Sequence, residues 1–145
     1  MRAHGIEMHF SGNHEAFAHA FTRLRAALDN EQLDSASRYN VELVFEEIVS
    51  NIMHHGPVGG REPDVRVTLE TRADEIVLTF DDDGIPFDST TRTERPPSTS
   101  LEDAKIGGFG LILVRGAASS LSYRRTGGNR NELTVAIRRD AGRGS

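Results

Sequence analysis

The sequence predicts a single α/β domain, because three segments have the periodicity of helices and five have the pattern of strands. Its 145 residues are typical of one domain by length. The predicted elements follow one another in the order strand, helix, helix, strand, strand, helix, strand, strand. No internal repeat interrupts this order.

The first strand and the first helix are predicted near the N-terminus. Residues 5–10 alternate apolar and polar side chains, which is typical of an edge strand. Ser11 and Asn13 are candidate N-caps for the helix that follows. Residues 29–37 are polar and are predicted to connect this helix to the next one. The apolar positions that define the first helix are Phe17, Phe21, Leu24 and Leu28.

The second helix has the clearest pattern in the chain and is predicted over about residues 37–55. Gly56 and Pro57 follow it directly. Both residue types end helices, because glycine readily adopts other conformations and proline lacks a backbone N–H. The apolar residues at helical spacing are Val41, Val44, Phe45, Ile48 and Ile52.

Two strands and a long polar segment come next. Residues 65–69 and 76–80 alternate apolar and polar side chains, and residues 71–75 are predicted to form the hairpin turn between them. From residue 88 to residue 106 the chain is rich in Ser and Thr and contains two adjacent prolines. This composition predicts a long mobile loop.

The C-terminal part of the chain is predicted to hold a third helix and a second pair of strands. The helix covers about residues 111–120. The strands cover residues 121–124 and 132–138, around a turn at residues 127–129. Residues 140–145 are predicted to be a disordered tail.

Composition and charge narrow the classes of function. The chain has 22 Asp and Glu residues against 17 Lys and Arg, for a net charge of -5, whereas proteins that hold nucleic acid usually carry a basic face. The absence of Cys excludes disulfides, cysteine nucleophiles and thiolate zinc sites. There is no apolar run of membrane-spanning length and no signal-peptide core. We therefore expect a cytoplasmic protein that contacts neither a membrane nor nucleic acid directly.

The second helix carries polar residues at the border of its apolar face. At about 100° per residue, Asn51 lies about 40° from Glu47, and the apolar positions lie about 60° to 160° from it. A carboxylate that accepts a proton and an amide oxygen that suits Mg2+ could therefore share a small polar pocket. The alternative is a solvated helix edge. The adjacent His54 and His55 point about 100° apart, which disfavours a histidine-based zinc site.

Residues 81–88 have the composition of a ligand-binding loop at the end of a predicted strand. They include the sequence Asp82-Asp83-Gly84. A carboxylate there could accept a hydrogen bond from an exocyclic amine, and the glycine would let a flat ring approach the backbone. The alternative is a simple acidic turn.

A second candidate loop is Gly107-Gly108-Phe109-Gly110, which opens the third helix. Free backbone N–H groups and the helix dipole at such an N-terminus favour an anion such as phosphate. The pattern is not a dinucleotide fingerprint, because Leu113 stands where the last glycine would be, and it is not a Walker loop. The alternative is a flexible turn before a buried helix.

Taken in order, these segments resemble the GHKL, or Bergerat-type, ATP-binding fold, in its RsbW-type branch of anti-sigma factors and serine-protein kinases. The resemblance spans about residues 6–139 and implies a two-layer α/β sandwich, with helices on one face of a mixed, mostly antiparallel sheet. The segments that carry it are Glu47-Ile48-Val49-Ser50-Asn51 with His55-Gly56, Asp82 to Asp88, Gly107 to Arg115, Tyr123-Arg124-Arg125, Gly127 to Arg130 and Leu133-Thr134-Val135.

The resemblance implies roles for four residues in the first part of the site. Glu47 would be the catalytic general base, and Asn51 would ligate an Mg2+ ion that bridges the phosphates of ATP. Asp82 would accept a hydrogen bond from the adenine amino group. Gly84 would leave room for the adenine ring beside the backbone.

Further contacts to ATP are implied in the C-terminal half of the chain. Gly108 and Gly110 would offer backbone N–H groups to the phosphates, and Thr134 would contribute to the adenine pocket. Lys105 would either neutralise a phosphate or be an exposed charge. Residues 88–106 would form a lid that ATP orders.

By the same resemblance, the expected function is that of an ATP-dependent serine/threonine-protein kinase and anti-sigma factor. The protein would phosphorylate a STAS-type anti-sigma factor antagonist and sequester a sigma factor, and relatives are commonly homodimers. One alternative is an ATP-binding module that regulates a partner without catalysis. Another is the catalytic domain of a histidine kinase, which is disfavoured because the chain has no room for a helix pair with a phospho-accepting His.

Overall fold

The computed structural model describes residues 4–55, 59–88, 90 and 109–139. The helices in these ranges are α1 (His14–Asp29), α2 (Ser35–His55) and α3 (Phe109–Ala117). The strands are β1 (His4–Ser11), β2 (Asp64–Thr71), β3 (Glu75–Asp82), β4 (Ser120–Thr126) and β5 (Arg130–Arg138). The predicted tail over residues 140–145 lies outside the described residues, as does the predicted lid over residues 88–106 except for Asp88 and Thr90.

The five strands form one open sheet in the order β1-β2-β3-β5-β4, and each described neighbouring pair is antiparallel. Helix α2 packs on β3 and β5, helix α1 packs on β1 and α2, and helix α3 packs on α2. The predicted α/β class and the sheet with helices on one face are therefore confirmed. The prediction of β1 as an edge strand is confirmed as well.

An aromatic cluster joins the helices to the sheet. The ring centroids of Phe17, Phe21 and Phe45 are each 5.9 Å from one another, and Phe45 also contacts Phe80 of β3 at 6.2 Å. Phe45 and Phe80 are almost fully buried. Truncation of a buried Phe to Ala typically lowers the free energy of unfolding by about 3–5 kcal/mol. This cluster fixes the rotation of α2 on the sheet and so decides which of its side chains face the end of β3.

The rows of side chains on the helix-covered face of the sheet end in a polar pair. Residues that oppose one another in antiparallel strands face the same side. One row consists of Ile6, Leu69, Leu78 and Val135. The next row consists of Met8, Val67, Phe80 and Leu133. A third row starts with the apolar Phe10 and Val65 but continues with Asp82 and Asn131, so two polar side chains oppose each other where the apolar core ends.

Side chains and backbone groups near the ends of the helices explain their boundaries. Asn13 caps α1, because its side-chain oxygen accepts a hydrogen bond from the Ala16 N–H at 2.8 Å. Helix α3 spans residues 109–117 and is therefore displaced from the predicted range of 111–120. It ends earlier because the Ser119 N–H donates to the Ala136 carbonyl at 2.8 Å, which leads the chain into β4.

Both predicted hairpin turns are present. The Arg72 N–H donates to the Glu75 carbonyl at 2.8 Å between β2 and β3. Between β4 and β5, Asn129 has a φ of 60°, a left-handed conformation that Asn tolerates better than most residues. None of the helices in the described ranges is long and apolar enough to cross a membrane.

Candidate functional site

A cleft opens where the core ends, between the C-terminal half of α2 and the ends of β3, β4 and β5. The empty space that it encloses is about 430 Å³, including open solvent at its mouth. Most of its walls are apolar or aromatic, with a few polar side chains. The lining residues are Ile48, Asn51, Ile52, His55, Phe80, Asp82, Ile85, Phe87, Tyr123, Asn131 and Leu133.

Asp82 is the buried carboxylate of the cleft, with 5% of its surface exposed. Its Oδ2 atom accepts hydrogen bonds from the Gly84 N–H at 2.9 Å and from Asn131 Nδ2 at 3.2 Å. The hydrogen bonds of the described residues to this carboxylate all reach Oδ2 and none reaches Oδ1. Burial raises the pKa of Asp82, the two hydrogen bonds oppose that shift, and the charges of Asp81 and Asp83 add to it. One oxygen is therefore held by the protein, and the other remains as an acceptor.

Asn51 approaches the cleft from α2 and is 6% exposed. Its Nδ2 atom is buried and has no hydrogen-bond partner among the described residues. A buried amide without a hydrogen-bond partner typically lowers folding stability by about 1–3 kcal/mol. A polar ligand that forms a hydrogen bond with it in the cleft would remove this penalty. Asn51 thus lies in the same cleft as Asp82, whereas the polar pocket that was predicted for Asn51 together with Glu47 includes only Asn51.

Glu47 lies one helical turn before Asn51 and is half-buried. Burial raises the pKa of Glu47, and the negative charge of the adjacent Glu46 raises it further. A carboxylate with a raised pKa is better suited to accept a proton near neutral pH. Glu47 is not among the residues that line the cleft, so it lies beside the cleft and not within it.

His55 and Phe87 close one side of the cleft by stacking. Their ring centroids are 4.6 Å apart, with an angle of 16° between the ring planes. His55 ends α2, and Phe87 follows β3, so the contact joins the two elements that carry Asn51 and Asp82. The role of His55 in this structure is therefore a packing role at the end of the helix.

Of four other predicted site residues, two lie in the described part of the chain and two do not. Gly84 is buried beside Asp82 and donates its N–H to it. Gly110 lies in the first turn of α3. Lys105 and Gly108 lie outside the described residues.

The structure corrects the placement of Thr134. This residue lies between Leu133 and Val135 on β5, and it opposes Thr79 and Ser122 in the neighbouring strands. Because side chains alternate along a strand, this row lies on the face of the sheet away from the cleft. Thr134 therefore does not line the cleft that contains Asp82.

Asn131 is a cleft residue that the sequence analysis missed. It is 5% exposed and lies opposite Asp82 across the β3–β5 pair. The available signal was a break in the pattern of β5, because Asn131 occupies the face on which Leu133, Val135 and Ile137 are apolar. Recognising it required the register between β3 and β5, which the sequence alone does not give.

A mostly apolar cleft with a buried carboxylate and a buried carboxamide is typical of the small-molecule sites of α/β domains. Residues 10–137 match the family model of the histidine kinase-like ATPase domain. The chain belongs to this family, and the resemblance to the GHKL ATP-binding fold is confirmed.

One curated relative and two solved structures are similar to this chain. The chain is 36% identical over 98 residues to the serine/threonine-protein kinase BtrW of Bordetella bronchiseptica, and the match covers 68% of each protein. The fold is similar to that of the RsbU and RsbW domains of a Mycobacterium tuberculosis protein, with a TM-score of 0.61 at 14% identity, over 92% of this chain and 32% of that one. It is also similar to the SiaB–SiaC complex from Pseudomonas aeruginosa, with a TM-score of 0.55 at 17% identity, over 90% and 89% of the two chains.

Proposed function

We propose that this protein is an ATP-dependent serine/threonine-protein kinase that also acts as an anti-sigma factor. The observation that carries the proposal is the presence of Asp82 and Asn51 in one cleft, where the family resemblance places an adenine acceptor and a magnesium ligand. The identity to a relative named as a serine/threonine-protein kinase supports the same activity.

The chemistry of the cleft fits an adenine ring. The Oδ1 atom of Asp82 is an acceptor without a donor among the described residues, and an exocyclic amine supplies such a donor. Phe80 and Leu133 provide apolar surface beside it. A base that lacks the amine would leave this acceptor buried without a hydrogen bond, which lowers the binding free energy. The site therefore binds a base that carries an amine more tightly than one that lacks it.

The phosphates and Mg2+ of the nucleotide would lie toward Asn51 and the N-terminus of α3. Mg2+ usually takes only one or two protein ligands and completes its shell with phosphates and water. This agrees with the described residues, which contain no group of three or more His, Asp and Glu that could hold a metal ion. Asn51 would provide the protein ligand, and the N-terminus of α3, with Gly110 in its first turn, would provide N–H groups for a phosphate.

Glu47 would act as the general base in phosphoryl transfer. ATP supplies the phosphoryl group, and Mg2+ neutralises charge on the phosphates. The task left to the chain is to position a protein hydroxyl and to accept its proton, for which Glu47 has a suitable raised pKa. The acceptor hydroxyl would be a serine or threonine of a STAS-type anti-sigma factor antagonist, and a sigma factor would be the second protein partner.

The test of the proposal is a transfer assay with the purified protein, Mg2+, γ-labelled ATP and candidate antagonist proteins. We expect label on a serine or threonine of one antagonist, no label when Mg2+ is chelated, and much slower labelling with Glu47→Gln. Binding of a sigma factor to the same protein would be measured separately by calorimetry. Absence of ATP binding by a folded protein would contradict the whole proposal.

A second candidate function is an ATP-binding regulatory module without catalysis. The observation that favours it is that Glu47 does not line the cleft. In this case ATP would control the affinity for a protein partner, and Glu47→Gln would leave that effect unchanged. ATP binding without transfer to any antagonist in the assay would favour this candidate over the kinase.

A further inference from the structure

Asn131 is the most densely hydrogen-bonded side chain of the cleft, and every polar atom of its amide is engaged. Its Nδ2 atom donates to the Ile85 carbonyl at 2.8 Å and to Asp82 Oδ2 at 3.2 Å. An amide nitrogen has two hydrogens, so both are used within the protein. The side chain therefore has no donor left for a nucleotide.

The oxygen of the same amide is engaged as well. Asn131 Oδ1 accepts hydrogen bonds from the Tyr123 hydroxyl at 2.6 Å, from Arg125 Nη1 at 3.1 Å and from the Phe87 N–H at 3.3 Å. Arg125 Nη1 also donates to the Gly84 carbonyl at 3.0 Å. Donors from β4 thus fix which way the amide points, and the amide in turn holds the segment after β3.

We propose that Asn131 is the positioning residue for base recognition, because it fixes Asp82 through Oδ2 and leaves Oδ1 as the one atom of that carboxylate that reads the base. The inference rests on the proposed binding of ATP in this cleft. Only an amide with this orientation suits the position, because it presents its donors to Asp82 and its acceptor to Tyr123 and Arg125. An Asp at position 131 would place a second carboxylate against Asp82, and like charges at that distance disfavour ionisation of both.

The inference predicts an effect on the choice of base and not only on affinity. Purine riboside triphosphate has the same ring, sugar and phosphates as ATP but lacks the amine that Asp82 would accept. If Asn131 positions Asp82, loss of the Asn131 side chain should lower the affinity for ATP and leave the affinity for the analogue nearly unchanged. A variant that merely loosened the fold would weaken both nucleotides equally.

The experiment is calorimetric measurement of the affinities for ATP and for purine riboside triphosphate, both with Mg2+. We expect the wild-type protein to prefer ATP by about tenfold or more, and Asn131→Ala to reduce that preference to about twofold, mainly by loss of ATP affinity. Glu132→Ala is the matched control, since it changes the next residue on the opposite face of β5 and should keep the preference. Tyr123→Phe keeps the ring and removes one hydrogen bond to Asn131, and it should lower the preference by about two- to threefold.

A double-mutant comparison tests whether Asn131 acts through Asp82. The variant with both Asp82→Asn and Asn131→Ala should bind ATP no more weakly than Asp82→Asn alone, because in that background Asn131 only orients an amide that already fails to accept from the base. Additive losses in the double variant would overturn the inference, and so would an unchanged preference in both Asn131→Ala and Tyr123→Phe. Failure of the proposed function has a different signature, since a folded wild-type protein would then bind neither nucleotide.

Discussion

The Asp83 carboxylate accepts a hydrogen bond from the backbone N–H of Asp64 at 2.8 Å, and this contact separates its role from that of Asp82. Asp83 also pairs with Arg61 at 2.8 Å. Asp81 pairs with Arg130 on the other face of the sheet. Of these three consecutive acidic residues, only Asp82 therefore enters the cleft, while its neighbours fasten the end of β3 to β2 and to the start of β5.

Asp82→Asn should weaken ATP binding by about tenfold to a hundredfold without loss of stability. The amide oxygen would take over the bonds to Gly84 and Asn131, which would turn the amide nitrogen toward the adenine amine, so that two donors would oppose each other. Because burial raises the pKa of Asp82 in the fold, its ionisation opposes folding above that pKa, and this penalty disappears as the pH falls. At neutral pH, the variant should therefore unfold at an equal or higher urea concentration than the wild type. This difference in urea midpoint should disappear as the pH is lowered.

Asp83→Asn is the matched control for Asp82→Asn, and its expected effects are reversed. Partial burial raises the pKa of Asp83, but the Asp64 N–H and Arg61 outweigh this and lower it. Ionised Asp83 therefore stabilises the fold above the pKa of the unfolded chain, and this stabilisation is lost as the pH falls through the folded pKa. The substitution should cost about 1 kcal/mol of unfolding free energy and leave ATP affinity nearly unchanged. A large loss of ATP affinity would contradict the separation of roles.

Asn51→Leu should abolish the dependence of ATP affinity on Mg2+ while keeping the fold intact. The wild-type amide is buried with an unpartnered nitrogen, so an apolar side chain of similar size should leave stability unchanged or raise it by about 1 kcal/mol. ATP affinity would be measured by calorimetry with Mg2+ and with chelator. Ser50→Ala, at the adjacent exposed position of α2, should keep the full magnesium effect, and retention of that effect by Asn51→Leu would exclude Asn51 as the ligand.

Glu47→Gln should reduce the rate of phosphoryl transfer by about a hundredfold to ten-thousandfold, as expected for loss of a general base. ATP affinity should change by less than about threefold, because Glu47 does not line the cleft. The measurements are single-turnover transfer to the antagonist and calorimetry with ATP. Parallel losses of transfer and binding would show that Glu47 holds the nucleotide and does not act as a base.

The rate of phosphoryl transfer should fall in acid as Glu47 becomes protonated, and Glu46→Gln should shift this acid limb of the pH–rate profile to lower pH. The charge of Glu46 raises the pKa of Glu47, so its removal lowers that pKa and keeps the base ionised in more acidic solution. At a pH well above the limb, the rate should equal that of the wild type. A rate profile with the same acid limb in both proteins would indicate that a group other than Glu47 controls it.

Thr134 and Asn131, which both lie on β5, show which part of the site the sequence could predict and which part it could not. The motif resemblance indicated that β5 contributes to the adenine pocket, and a β5 residue does line the cleft. Thr134 and Asn131 are three positions apart, and along a strand an odd separation places two side chains on opposite faces of the sheet. Only the pairing of Asp82 with Asn131 shows which set of β5 side chains faces the cleft.

The sequence by itself determined the elements, their order and the family, because periodicity and short motifs are local properties of the chain. It also identified Asn51 and Asp82, since each lies at a recognisable position on its own helix or strand. Tertiary structure alone decided that Glu47 lies beside the cleft, that Thr134 faces away from it, and that Asn131 holds Asp82. These facts depend on strand register and on the rotation of α2 about its axis, which are fixed by contacts between residues far apart in the chain.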